Sequence, residues 1–203
     1  NNDISWQRTG YPADARRLAH LMIHLQEQGC HNINFVTPSH VIPHILEALP
    51  IAIEKGLRVP LVYNSSGYDS VEALRLLDGV IDIYMPDMKF TNPDVAKRLA
   101  HAPDYWDVCR AAVKEMHRQV GDLVLDDRGL AVRGLLVRHL VMPNNCAGTH
   151  EVMSFLAEQI SPHTFVNIMA QYRPEGRAWD IPEIARRCTR EEYLEAIAVA
   201  RKA

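Results

Sequence analysis

The strongest constraint on this chain is an alternation of short apolar runs, each closing in polar, glycine or proline residues, with stretches of helical periodicity. The runs cover residues 32–36, 59–63, 81–90, 135–141 and 164–169. The first ends in Thr37, Pro38, Ser39 and His40. The second ends in Asn64, Ser65, Ser66 and Gly67, and the third carries Asp87 and Lys89 at its end. The last two close in Met142-Pro143-Asn144 and in Gln171-Tyr172-Arg173-Pro174. Near-continuous apolar runs of this length read as strands covered on both faces.

The intervening stretches have helix signals. Pro12 and Asp14 open the first, with a stripe of Leu18, Leu21, Met22 and Leu25 before Gly29 closes it. The second starts at Ser39, buries Ile42, Ile45, Leu46 and Leu49, and stops at Gly56. A short helix follows Asp69-Ser70, and longer ones are predicted over 104–120 and 149–160. The last begins with the capping box Thr189-Arg190-Glu191-Glu192. Residues 122–133 break the rhythm, and two short runs around Gly129 read as a β-hairpin that either covers a ligand or, the favoured reading, caps the N-terminal end of the barrel. Strand and helix in alternation predict an α/β fold with parallel strands and right-handed crossovers.

In such folds chemistry sits at the C-terminal strand ends. Asp87 and Lys89 are two residues apart, so on an extended chain they face the same way and either offer an anion and a cation to one ligand, as a zwitterion requires, or pair with each other as a strand-end salt bridge. The 203 residues, 47% of them apolar, are enough for one domain over 1–203 with a full core. A net charge of −3 with no long basic stretch argues against nucleic acid as partner. No apolar run approaches a membrane span, which argues against a membrane partner and leads to the expectation of a cytoplasmic protein. The four cysteines, Cys30, Cys109, Cys146 and Cys188, are dispersed without metal-binding spacing. The first helix has no strand before it, so an edge is expected at the strand near Asn32.

Several strand ends in this order, Val62-Tyr63-Asn64-Ser65-Ser66-Gly67-Tyr68, Ile83-Tyr84-Met85-Pro86-Asp87-Met88-Lys89-Phe90, Arg138-His139-Leu140-Val141-Met142-Pro143 and Gln171-Tyr172-Arg173-Pro174, together with 115–121, resemble a family. It is the radical S-adenosylmethionine (radical SAM) proteins related to pyruvate formate-lyase activating enzyme, in the branch of activating-enzyme-like iron-sulfur proteins. The resemblance implies a partial parallel (β/α) barrel of the TIM-barrel kind. It implies an oxidoreductase that uses a [4Fe-4S] cluster to cleave S-adenosylmethionine reductively to a 5′-deoxyadenosyl radical, with activation of a glycyl-radical enzyme as one outcome. A protein substrate and an electron donor such as flavodoxin or ferredoxin are the implied partners.

Members of the family carry Cys-x-x-x-Cys-x-x-Cys after the first strand. The opening Asn1-Asn2-Asp3-Ile4-Ser5 is similar to the stretch after their third cysteine, which implies a chain starting two residues past it, lacking the first strand and cluster loop. No residue of this chain is then a cluster ligand. For S-adenosylmethionine the resemblance implies Thr37, Ser39 and His40 where many relatives have Gly-Gly-Glu, Asn64 and Ser65 where they have Asp-Thr, and Asp87 and Lys89 as their Asp-x-Lys. It also implies Arg138 as the strand arginine near the ribose and carboxylate, with Tyr172 and Arg173 at the last strand end.

Two other readings fit the residues. One is a metal-dependent barrel hydrolase or lyase with His40, Asp87 and His139 as ligands from separate strand ends. The other is a barrel without catalysis whose mouth docks a partner protein.

Overall fold

The computed structural model describes Gln7 and residues 9–203, so the opening Asn1 to Ser5 lies outside the described residues. The chain divides into two compact units, one of residues 1–33 and 40–59 and the other of residues 34–39 and 60–203.

The first unit holds two helices. In α1 (Ala15–Glu27) the Asp14 side chain caps the N-terminus by accepting from the Arg17 N–H at 2.8 Å. Helix α2 (Ile42–Glu54) packs against it and buries Ile42, Ile45, Ala48, Leu49 and Ala52. Gln26 joins the C-terminal regions, donating to the Gly56 carbonyl and accepting from the Arg58 and Val59 amides. Of the stripe expected on α1, Met22 is buried but Leu21 and Leu25 stay 47% and 41% exposed. Among the described residues of this unit α2 is the helix packed on α1, and one such neighbour covers a narrower band than the roughly 100° stripe that periodicity marks.

The second unit is built on a mixed sheet. Its strands are β1 (Ile33–Val36), whose first residue belongs to the other unit, β2 (Leu61–Ser65), β3 (Ile83–Pro86), β4 (Val124–Leu125), β5 (Ala131–Leu140) and β6 (Phe165–Met169). The order is β1-β2-β3-β5-β4, with β6 also on β5. Pairs β2/β3, β3/β5 and β5/β6 are parallel, and β4/β5 is antiparallel. The sheet is therefore mostly parallel and, among the described residues, open. β2 runs two residues further than its apolar core suggests, drawing Asn64 and Ser65 into the ladder opposite Met85 and Pro86.

Its helices are α3 (Val71–Arg75), α4 (Pro93–Ala100), α5 (Tyr105–Val120), α6 (Thr149–Gln159) and α7 (Arg190–Ala200). Helix α4 is absent from the periodicity reading. Its sign is local: Asn92 accepts from the Asp94 and Val95 amides, and Pro93 starts the first turn. The expected capping box on α7 is present, with Thr189 and Glu192 bonded reciprocally. No helix among the described residues is long and apolar enough to cross a membrane.

Strand alternation gives the sheet two faces. Tyr63, Ser65, Tyr84, Leu135, Val137 and His139 share one, and all are buried. That face meets α5, where the Tyr84 hydroxyl donates to Gln119 at 2.6 Å and the Gln119 amide reaches the Leu74 carbonyl and Glu115. Asn64, Met85, Asp87, Leu136 and Arg138 share the other face.

The predicted hairpin forms at the N-terminal end of β5. Val124 pairs with Arg133 and Leu125 with Ala131, while Asp126 accepts from the Arg128 and Leu130 amides in the turn. Here Gly134 is required. Its φ is +117°, and a Cβ would stand 2.3 Å from the Asp122 carbonyl oxygen. Gly134→Ala is expected to cost more than about 2 kcal/mol, read as a lower urea midpoint with unchanged slope.

Candidate functional site

At the C-terminal ends of the parallel strands of the second unit, three charges meet. The Arg138 guanidinium reaches Oδ1 of Asp87 through Nε at 2.7 Å and Nη2 at 2.6 Å, and the Lys89 ammonium reaches Oδ2 at 2.8 Å. Asp87 and Arg138 are also bridged as parallel neighbours, so the ladder itself sets their spacing. Lys89 and Arg138 keep about a third to a quarter of their side chains exposed, at 30% and 25%, against 11% for Asp87.

This arrangement modifies the expectation of a free anion beside a free cation. Each oxygen of Asp87 already has a cation, and the triad carries one net positive charge with donor hydrogens left over on Lys89 and Arg138. Such a cluster favours an oxyanion such as a carboxylate on the ligand. Asn64 shares this face of the sheet and is 8% exposed.

The backbone under the triad is pinned from three sides. The Asp87 amide donates to the Ser65 carbonyl at 3.0 Å, the Met88 amide to the Arg138 carbonyl at 2.9 Å, and the Lys89 amide to the Tyr105 hydroxyl at 3.1 Å. Gly67 lies against the same segment with φ +77°. A Cβ there would stand 2.3 Å from the Asp87 carbonyl oxygen, so only glycine lets the β2 and β3 ends approach this closely.

The other predicted residues divide. Thr37, at φ +56°, donates its amide to the Asn64 carbonyl at 2.7 Å and so ties the β1 end to β2. Ser39 and Ser65 both donate their hydroxyls to Asp69, at 2.5 and 2.6 Å, and the Tyr63 hydroxyl donates to it at 2.8 Å. Both hydroxyls are thus spent on the buried Asp69 carboxylate, Ser65 within the core and Ser39 from an exposed position. Tyr172 donates to the Ile184 carbonyl at 2.9 Å, and Arg173 pairs with Glu175 at 2.9 Å with both side chains about two-thirds exposed. Both lie on the loop beyond Met169, outside the ladder that places Asp87 and Arg138. His40 is exposed at the end of a short turn in the first unit.

His139 has no exposed surface. Its Nδ1 lies 2.8 Å from the Met88 carbonyl and its Nε2 2.9 Å from the Thr149 hydroxyl. The carbonyl can only accept, so Nδ1 carries the proton and Nε2 accepts from Thr149. Both nitrogens are engaged inside the protein, on the face opposite Asp87. The ligand set His40, Asp87 and His139 is therefore not assembled by His139, and among the described residues no three His, Cys, Asp or Glu side chains gather as a metal group.

Two site residues escape periodicity. Asp69 accepts three hydroxyls from the β1 and β2 ends while 4% exposed, and pushes up the pKa of Tyr63 together with the larger effect of burial. Tyr105 carries the Lys89 amide. A hint of the first lies in Tyr63, Ser65 and Asp69 within seven residues, since a carboxylate that becomes buried needs nearby donors.

No protein-family model matches the chain. It is 33% identical over 193 residues to an uncharacterized protein of Methanocaldococcus jannaschii, a match covering 94% of this chain and 52% of that protein. The chain thus spans about half the length of the curated relative it matches.

Burial drives the pKa of His139 below its ordinary 6.5, against the smaller raising effect of the Met88 carbonyl. The unfolded chain then binds the proton more readily than the folded one. Stability is complete above the unfolded value and falls as the pH drops below 6.5, by up to about 1.4 kcal/mol per pH unit. His139→Gln is expected to be less stable than the wild type at pH 7.5, yet to lose less between pH 6.5 and 5. Urea midpoints across that range check it, and equal slopes for the two proteins would remove His139 as the cause.

Proposed function

We propose that this chain provides the S-adenosylmethionine-binding strand ends of a radical SAM protein related to the glycyl-radical activating enzymes. The observation that carries the reading is the Arg138–Asp87–Lys89 triad, with Asn64 on the same face, at the C-terminal ends of adjacent parallel strands. The order of strand-end motifs that resembles the family supports it from the sequence side. A partial (β/α) barrel is the finer fold that belongs with this reading, and the open, mostly parallel sheet is compatible with it.

The residues present suit the amino-acid end of S-adenosylmethionine. Lys89 and Arg138 supply charge-assisted donors for its carboxylate, and the Asp87 carboxylate, although paired, adds an acceptor and a negative potential for its ammonium. Asn64 offers a carboxamide for a hydroxyl or a carboxylate oxygen. When bound, S-adenosylmethionine supplies the 5′-deoxyadenosyl group, and the protein's share is orientation and electrostatics.

The same residues do not suit an iron-sulfur cluster. Cluster binding needs converging cysteine thiolates. Here Cys109 is buried with its thiol pushed up to about 12 by burial, and burial also raises Cys146 and Cys188. Those cysteines hold protons and do not gather among the described residues. No chemical step is therefore assigned to a cluster held by this chain. The protein substrate and the flavodoxin or ferredoxin donor belong to the same proposal.

Equilibrium dialysis of the 203-residue chain against S-adenosylmethionine tests the reading. Lys89→Met is expected to keep the melting temperature within a few degrees, since Lys89 is about a third exposed and Arg138 still pairs the Asp87 carboxylate, whereas Asp87→Asn, at a buried and doubly paired position, is expected to lower it further while still folding. Binding is expected to weaken by about 2 kcal/mol, a factor of roughly thirty. Absence of wild-type binding, or wild-type affinity in both variants, would sink the proposal.

A further inference from the structure

Past the last residue of β3 the chain leaves the regular ladder, yet its next three amides each find an acceptor on a different element. Those of Asp87 and Met88 go to backbone carbonyls, at Ser65 and Arg138. That of Lys89 goes to a side chain, the Tyr105 hydroxyl at 3.1 Å. Of the three ties, this one alone can be removed without altering the main chain.

Tyr105 is well built for the task. It is the first residue of α5, 3% exposed, with its hydroxyl 2.8 Å from the Ser66 carbonyl and 2.9 Å from the Asp87 carbonyl. The phenol has one proton to share between those carbonyls and lone pairs to accept the Lys89 amide. One hydroxyl thus joins the β2 end to both residues of the Asp87–Lys89 pair. Phe90 packs edge-on against its ring at 5.6 Å, Tyr68 stacks on it at 6.1 Å, and the Cys109 thiol lies 3.7 Å from the Asp87 carbonyl one turn along the helix. Burial, reinforced by Cys109, raises the phenol's pKa well above its ordinary 10.0, so it remains a donor across the working pH range.

We propose that Tyr105 is the positioning residue of the strand-end site, holding the backbone of residues 87–89 so that the Lys89 ammonium and Asp87 carboxylate face the ligand together. The inference rests on the S-adenosylmethionine reading for its ligand, though not for its geometry. The Tyr105 hydroxyl is engaged by main-chain groups alone, so its effect passes through Lys89 and Asp87.

Tyr105→Phe keeps the ring and its contacts while deleting all three hydrogen bonds. Tyr68→Phe, which deletes only the hydroxyl bond to Asp104 at 2.8 Å, is the control. Two readouts are taken on the 203-residue chain: S-adenosylmethionine affinity by equilibrium dialysis, and amide hydrogen exchange by NMR, each beside the melting temperature. The expected result for Tyr105→Phe is an affinity about tenfold lower, consistent with one lost tie. Exchange should accelerate at Lys89 with α5 unchanged, and the control should bind as wild type.

Wild-type affinity in Tyr105→Phe would overturn the proposal. So would a melting temperature lower by more than about 10 °C with exchange accelerated throughout α5, which would make the hydroxyl a general stabiliser. If the wild-type chain does not bind S-adenosylmethionine, the functional reading falls, and exchange alone decides the positioning: acceleration confined to residues 87–89 upholds it, and no acceleration overturns it.

Discussion

The structure of the strand ends depends on Asp87 more than on any other residue, because its main chain and its side chain are held by different elements. The amide is held by β2, the carbonyl by α5, and the carboxylate by β5 through Arg138. A carboxylate at 11% exposure without cations would suffer a desolvation cost of several kcal/mol. Two cations and a fixed backbone remove that cost, and they leave a surplus of positive charge where the strands end.

The two faces of the sheet solve different problems. Toward α5, Tyr84, Gln119, Glu115 and the Leu74 carbonyl form one connected network. Arg118 closes it, holding Glu115 at about 2, mainly through the hydrogen bonds it donates. Satisfied networks of this kind favour a single packing arrangement. On the Asp87 face the charges are only partly enclosed, and their remaining hydrogen-bond capacity points to something other than the core.

Much of this was legible in the sequence, and the reasons differ from residue to residue. The parallel strands showed because strands buried on both faces are apolar throughout, and the Asp87–Lys89 pairing followed from their two-residue spacing. The ends of α1 and α7 were readable in Asp14 and in the Thr189–Glu192 box, since caps are local chemistry. What did not show were partnerships across long separations. Nothing near His139 announces Met88 and Thr149, so a strand-end histidine looked available when both its nitrogens were committed. Ser39 and Ser65 looked like ligand groups for the same reason, their partner Asp69 being evident only once two strand ends are side by side. Tyr172 and Arg173 lie on the loop that follows β6, as the sequence places them, but their partners Ile184 and Glu175 come from that same loop region and leave no mark in a strand pattern.

The β4–β5 hairpin has a consequence of another sort. It stands at the opposite end of β5 from Arg138, its turn around Gly129 is secured by Asp126 alone, and Val124 and Leu125 are about half exposed. Exposed turns held by short-range bonds are where chains absorb insertions with least disturbance. The constraint begins again at Gly134, where the two main chains nearly touch. Between Asp126 and Leu130 an experimenter can attach a label or affinity handle without moving the strand ends that hold Asp87 and Arg138.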